Sequence, residues 1–251
     1  MINIEMLEII SPALVAGLLI ALTHGLIGIK VLERGIVFID LAIAQIAGLG
    51  LIIAGIFLPD HSWSYQIIAL LFAILASLFF YYIEKIAPDI QEAIIGCSFV
   101  LAASLSVLFL SNHSHGSDEI KHLLSGQILF VTFKDILQHL PIYIGVIGLW
   151  FMRPKIKSGI GFYLIFAFAI TSSVQLVGIY VVFASLILPA IASRDKKNPL
   201  LISWICGIIS VILGIICAMI FDLPAGVLVV ISYFLVTFLI YFLVNLKDKI
   251  K

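Results

Sequence analysis

Residues 158–193 read SGIGFYLIFAFAITSSVQLVGIYVVFASLILPAIAS, a run of 36 residues without a single Asp, Glu, Lys or Arg. About 20 apolar residues at a rise of about 1.5 Å each cross the ~30 Å hydrocarbon core of a bilayer. Seven further stretches share this character: residues 9–29, 41–59, 61–83, 93–117, 136–152, 198–221 and 223–246. The chain is therefore predicted to consist almost entirely of membrane-spanning helices.

The composition excludes several classes of protein. Hydrophobic residues make up 63% of the chain and charged residues 11%, and the mean hydropathy is +1.26. Soluble domains are nearer half apolar, so these charges are too few to cover a surface that faces water. The chain has no G-x-x-x-x-G-K-[ST] and no H-E-x-x-H. The first pattern is the nucleotide-binding P-loop and the second is the zinc-binding motif of metalloproteases, so the sequence excludes nucleotide binding through a P-loop and hydrolysis at a zinc site of the second type.

The basic residues predict an orientation, because Lys and Arg concentrate on the cytoplasmic side of membrane proteins. With the amino terminus outside, 12 of the 14 basic residues are cytoplasmic, and only Lys121 and Lys134 lie outside. Residues 158–193 must then enter and leave the membrane as a pair of short helices. A turn near Ser172, Ser173 and Gln175 would allow this.

We therefore predict an all-α polytopic membrane protein with about eight or nine transmembrane helices. Its amino terminus is outside, its carboxyl terminus is cytoplasmic, and residues 1–251 form a single transmembrane domain. The count of eight requires that another stretch, such as the amino-terminal one, does not cross fully.

Asp40 is the carboxylate expected at bilayer depth. An ionised Asp costs a few kcal/mol there, so it must face the protein interior and find a partner. Asp222 is also bordered by apolar sequence, but Pro224 and Gly226 beside it predict an outer turn. Two interpretations of Asp40 stay open: it contacts a cation on its path, or it pairs with Arg34 or caps its helix.

Gln45 and His24 are further candidate ligands for that cation. Gln45 lies five positions after Asp40, a rotation of about 140° in a regular helix, so the two cannot chelate an ion on one face. His24 could approach from a neighbouring helix. It could equally be a hydrogen-bonded packing residue.

A His-rich polar segment, residues 112–122, lies outside under the predicted orientation. Its nitrogen and oxygen donors suit zinc or a related divalent ion. Their spacing matches no closed structural site, so a plain solvated loop is the alternative. The candidate ligands are His113, His115, Asp118, Glu119 and His122.

Residues 189–198, PAIASRDKKN, link two apolar runs on the predicted cytoplasmic side. This short charged segment could be a positive-inside anchor. It could also be the surface on which a cytosolic partner acts.

The order and spacing of several motifs carry a family resemblance. The motifs are Gly28-Ile-Lys-Val-Leu-Glu-Arg34 leading to Asp40, Glu92-Ala-Ile-Ile-Gly-Cys-Ser-Phe99 followed by Ala102-Ala103, Leu123-Leu-Ser-Gly-Gln-Ile-Leu129, Val177-Gly-Ile-Tyr-Val-Val-Phe-Ala-Ser-Leu-Ile-Leu-Pro-Ala-Ile-Ala-Ser-Arg194 and Phe221-Asp-Leu-Pro-Ala-Gly226. From about residue 12 to about residue 240, the chain resembles the membrane-permease subunits of bacterial zinc and manganese ABC importers.

The resemblance implies a multi-pass protein of the bacterial cytoplasmic (inner) membrane. It implies three protein partners: a cytosolic ABC ATPase, an extracytoplasmic metal-binding protein and a second permease copy. The protein would also contact membrane lipid, and no nucleic acid is expected as a partner.

The resemblance also implies site residues. The family's intramembrane Asp falls on Asp40, but the position four residues later, where the family usually has His, is Ala44 in this chain. Either His24 substitutes for that His, or the metal selectivity differs. The implied ATPase-coupling residues are Pro189, Ala190, Ser193, Arg194, Asp195, Lys196 and Lys197.

The predicted function is that of a non-enzymatic transmembrane subunit of an ATP-driven divalent-metal importer working by alternating access. Zinc is the expected ion, with manganese or iron as alternatives, and no cofactor is held permanently. A proton-coupled secondary transporter is the first alternative, but it needs several intramembrane carboxylates, and this chain offers essentially one. A membrane metalloenzyme is the second, and the sequence shows no general base near a defined ligand set.

Overall fold

A computed structural model describes residues 4–57, 62–110 and 128–250 of the chain. These residues form nine α-helices and three short 3₁₀ segments, Pro88–Ile90, Ile128–Phe130 and Pro154–Lys157, without a β-strand. The predicted all-α fold is confirmed. The helices are α1 Ile4–Arg34, α2 Ile39–Phe57, α3 Ser62–Ile86, α4 Gln91–Leu110, α5 Phe133–Met152, α6 Gly159–Val177, α7 Ile179–Ser193, α8 Pro199–Phe221 and α9 Ala225–Ile250.

Eight helices in the described ranges are long and apolar enough to cross a membrane, and α1 is among them. The exception is α7, whose 15 residues span only about 22 Å against the ~30 Å hydrocarbon core. The polytopic architecture is confirmed with eight candidate spans, and the short helix is α7 rather than the amino-terminal one. The orientation derived from the basic residues stays a prediction.

The break inside residues 158–193 lies at Gly178, so the predicted turn near Ser172, Ser173 and Gln175 is wrong. Gly178 has a φ of +80° and separates α6 from α7. Glycine adopts this conformation without the steric cost that other residues meet. Ser172 and Ser173 lie inside α6, and the Ser173 hydroxyl is 2.9 Å from the Tyr143 hydroxyl on α5. Their polarity serves contacts between helices rather than a turn.

The turn predicted at Asp222 is confirmed. Asp222 follows the last residue of α8 in the left-handed conformation, with a φ of +51°. Its backbone N–H bonds the Ala218 carbonyl, which closes the helix end. Pro224 and Ala225 then lead into α9.

The chain divides into two compact units. Residues 1–34, 125–140 and 176–251 form the first unit, and residues 35–124 and 141–175 form the second. The single transmembrane domain over residues 1–251 stays a prediction.

The helices of the first unit pack with close backbone contact. Helix α1 packs on α7 and α8, and α9 also packs on α7 and α8. A Cβ added at Gly28 of α1 would lie 2.0 Å from the Leu186 carbonyl oxygen on α7. A Cβ added at Gly214 of α8 would lie 2.5 Å from the Cα of Val229 on α9. Small residues let membrane helices approach this closely and gain van der Waals contact.

In the second unit, α2 packs on both α3 and α4. Gln91, the first residue of α4, fixes where that helix begins. Its side-chain amide donates to the Phe80 carbonyl on α3 at 3.3 Å and to the Tyr163 hydroxyl on α6 at 2.9 Å. One buried amide therefore ties three helices together and positions Glu92, the next residue.

We expect Gly28→Ala to destabilise the protein, because the added methyl group would collide with backbone that cannot rotate away. Overpacking of this kind costs about 1–3 kcal/mol. The melting temperature of the detergent-solubilised protein should fall. The matched control is Gly96→Ala on α4, where an added Cβ meets nothing within 4 Å. Equal melting temperatures for the two variants would contradict the close α1–α7 approach.

Candidate functional site

Asp40 is the second residue of α2, and its side chain is fully buried. The backbone N–H groups of Asp40 and Leu41 lie near the carboxylate, yet neither carboxylate oxygen has a hydrogen bond of normal geometry among the described residues. The positive end of the α2 dipole favours a negative charge here. The place of Asp40 at the start of α2, beside these N–H groups, agrees with the helix-capping interpretation. Its role as a ligand for a cation stays a prediction.

Glu92 is a carboxylate near the start of α2 that the sequence analysis did not single out. It is the second residue of α4, and its Oε1 accepts the Phe38 backbone N–H at 3.1 Å. Phe38 is two residues before Asp40, so this hydrogen bond holds the Glu92 side chain near the start of α2. Oε2 of Glu92 is buried without a hydrogen-bond partner in the described residues. The available signal was its place as the last charge before the uncharged residues 93–117.

Gln45 is buried on α2 and contacts α4. Its Nε2 donates to the Ser106 hydroxyl at 3.4 Å, and that hydroxyl donates to the Ala102 carbonyl at 2.9 Å. The Oε1 of Gln45 has no hydrogen-bond partner within the described ranges. Gln45 thus joins two helices of the second unit, and its role as a metal ligand stays a prediction.

His24 lies on α1 in the first unit, where it is fully buried. Its Nδ1 is 2.7 Å from the Ser185 hydroxyl on α7. That hydroxyl donates to the Val182 carbonyl at 2.9 Å, so its oxygen accepts a hydrogen bond from Nδ1–H of His24. This geometry supports the packing interpretation of His24, and the ligand interpretation stays untested.

No group of three or more His, Cys, Asp or Glu side chains that could hold a metal ion occurs in the part of the chain that the structure describes. The predicted external ligands lie outside the described residues, so their metal handling stays a prediction. They are His113, His115, Asp118, Glu119 and His122.

The predicted coupling residues surround the end of α7 in the first unit. Pro189, Ala190 and Ser193 are buried within the helix, whereas Arg194, Asp195 and Lys197 are exposed and Lys196 is half-buried. Asp195 has a φ of +59°, a conformation that costs a non-glycine residue about 1–2 kcal/mol. A tight charged turn therefore projects from the end of α7.

A cavity of about 290 Å³ lies beside this turn. Glu33 of α1, which pairs with Lys30, contributes to its wall. The residues that line the cavity are Ile29, Leu32, Glu33, Ala190, Ser193, Arg194, Asp195, Lys196 and Pro199.

A model of the ABC 3 transport family matches residues 6–158 and 152–245 of the chain. An uncharacterised membrane protein of Cyanophora paradoxa is 25% identical, with 97% of this chain and 88% of that protein covered. A protein of Halalkalibacterium halodurans named manganese transport system membrane protein MntC is also 25% identical, with 88% of this chain and 82% of that protein covered.

Solved structures share the fold. PsaBC from Streptococcus pneumoniae, in complex with a Fab, superposes with a TM-score of 0.72 at 20% identity, covering 93% of this chain and 91% of that chain. An inward-facing conformation of a metal-chelate type ABC transporter also has a TM-score of 0.72, at 13% identity, covering 96% of this chain and 90% of that chain.

We expect Ser185→Ala to lower stability by about 0.5–1.5 kcal/mol, the net value of one hydrogen bond, because the nearby Val182 carbonyl remains as an acceptor for His24. The control is Ser210→Ala, since the buried Ser210 hydroxyl bonds the Cys206 carbonyl one turn earlier in the same helix. Thermal unfolding in detergent compares the two. A shift no larger than that of the control would contradict a contribution of Ser185 to packing around His24.

Proposed function

Because the chain belongs to the ABC 3 transport family, we propose that it is the membrane-permease subunit of an ATP-driven importer of divalent metal ions. The observation that carries the proposal is the buried Asp40 carboxylate, whose oxygens have no hydrogen-bond partner among the described residues. A carboxylate held at such a place inside a membrane protein is costly, and it is kept where a cation passes. Zinc and manganese are the two leading ions.

The energy for transport comes from a separate subunit in this proposal, since the chain carries no P-loop. A cytosolic ABC ATPase contacts the turn at Arg194–Lys197 and places a side chain in the adjoining cavity. An extracytoplasmic protein delivers the metal, and a second permease copy completes the pore in the bacterial cytoplasmic membrane. The ATPase cycle moves the helices so that the ion faces each side in turn.

We expect Asp40→Asn to abolish ATP-dependent uptake of zinc or manganese, because an amide replaces the anionic oxygen with a neutral one of the same size. Uptake is measured in vesicles that contain the chain and its ATPase and metal-binding partners. The matched control is Asp89→Asn, an exposed carboxylate on the Pro88–Ile90 segment. This control should transport at the wild-type rate.

The same vesicles test the competing class of transporter. Uptake that proceeds without any ATPase, driven by a proton gradient alone, would contradict the proposal and favour a secondary transporter. Wild-type uptake by the Asp40→Asn variant would contradict the proposal that Asp40 contacts the transported ion.

We expect Arg194→Ala to uncouple the ATPase from uptake, because it removes the exposed charge that follows α7 and its ion pair with Asp195 at 3.6 Å. Metal uptake should fall by a larger factor than ATP hydrolysis. Lys155→Ala is the control, as Lys155 is an exposed basic residue of the Pro154–Lys157 segment. Equal losses for both variants would indicate a general effect of surface charge and contradict the coupling role.

A further inference from the structure

The connection between α5 and α6 is the most basic stretch of the second unit. Arg153, Lys155 and Lys157 are the only charged residues of the range 136–193, so the sequence on either side offers them no acidic partner. We call these three residues the basic patch. The side chains of Arg153 and Lys155 are exposed, and neither forms an ion pair with another described residue. These two positive charges therefore face the surroundings without a counter-charge from the described residues.

The 3₁₀ segment that begins at Pro154 gives the basic patch a defined shape. The Ile156 N–H donates to the Arg153 carbonyl at 2.9 Å, and the Ser158 hydroxyl donates to the Lys155 carbonyl at 3.1 Å. The ring of Pro154 fixes its φ as well. An open cavity of about 460 Å³ lies against this segment, and the residues that line it are Arg153, Pro154, Lys155 and Ile156. The cavity has room for a phosphate group.

Apolar and aromatic side chains adjoin the basic patch at the end of α5. Nζ of Lys157 lies 5.3 Å from the centre of the Trp150 ring, within the range of a cation–π interaction. Trp is enriched at the boundary between membrane and water. The next two side chains, Phe151 and Met152, are 54% and 81% exposed. Since α5 is a candidate membrane span, these two side chains suit contact with acyl chains, and the basic patch lies at the depth of the lipid headgroups.

The phosphate of a phospholipid matches both features of this surface. A guanidinium group donates two parallel hydrogen bonds to phosphate oxygens, and a Lys ammonium adds a point charge. The acyl chains of the same molecule would cover Phe151 and Met152. A free phosphate ion would meet the charges and leave these apolar side chains uncovered. Basic pockets at the cytoplasmic ends of membrane helices bind anionic headgroups, and this end of α5 is cytoplasmic under the predicted orientation.

We propose that the basic patch binds the headgroup of an anionic phospholipid such as phosphatidylglycerol. Arg153 contacts the phosphate oxygens, and Lys157 adds a second positive charge from its place over Trp150. The acyl chains lie against Phe151 and Met152. This inference is separate from the proposed function, and it holds whichever ion the protein transports.

The test is lipid binding to the purified full-length chain in detergent, measured by native mass spectrometry. The probes are phosphatidylglycerol and phosphatidylcholine with the same acyl chains. We expect the first phosphatidylglycerol molecule to bind roughly tenfold more tightly than phosphatidylcholine, or better. Arg153→Gln and Lys157→Gln should each weaken the binding of phosphatidylglycerol roughly fivefold, the effect of about one charge at a membrane surface. Neither variant should change the binding of phosphatidylcholine.

Lys134→Gln is the matched control, because Lys134 is an exposed basic residue at the opposite end of the same helix. This variant should bind phosphatidylglycerol like the wild type. Arg153→Lys, which retains the positive charge, should recover part of the affinity that Arg153→Gln loses.

Three outcomes would overturn the proposal. The first is equal affinity of the wild type for the two lipids, a comparison that needs no variant and is decisive even if a variant fails to fold. The second is an equal loss in Arg153→Gln and Lys134→Gln, which would indicate diffuse attraction without a site. The third is unchanged lipid binding in Arg153→Gln and Lys157→Gln with weaker association of the cytosolic ATPase, which would assign the basic patch to a protein partner.

Discussion

Inside a bilayer no water is available to hydrogen-bond a polar group, so each one must find its partner within the protein. This constraint explains why the described chain is helical and why buried polar side chains reach across to neighbouring helices. Trp204 donates to the Leu22 carbonyl at 2.9 Å, and the Tyr143 hydroxyl lies 2.9 Å from that of Ser173. A few buried polar atoms in the described residues have no hydrogen-bond partner, and both carboxylate oxygens of Asp40 are among them.

Most of the fold was predictable, because helix length and hydrophobicity are local properties of the sequence. The uncharged stretches correspond to helices, and Asp222 with Pro224 and Gly226 marks a turn. The break at Gly178 was not predictable from the same signals. Ser172 and Ser173 resemble a turn in sequence, but a partner 30 residues away on another helix makes Ser173 a packing residue. Such long-range pairing is invisible to a local pattern.

The candidate site was predictable only in part, for the same reason. Asp40 stood out as the carboxylate expected at bilayer depth. Glu92 follows Asp89 at the edge of a span and resembles an ordinary interfacial charge, and only the fold joins it to Phe38, 54 positions away. The contact of His24 with Ser185 joins residues 161 positions apart. The resemblance led to the expectation of zinc, with manganese or iron as alternatives, and the choice among these ions stays a prediction.

The contact of Gly28 with Leu186 has a mechanical consequence. Helices that interlock through long side chains can slide past each other as rotamers change, but backbone pressed against backbone offers no such freedom. The buried bond between His24 and Ser185 fastens the same two helices one turn away. We therefore expect α1 and α7 to move as one rigid pair, together with the charged turn that follows α7.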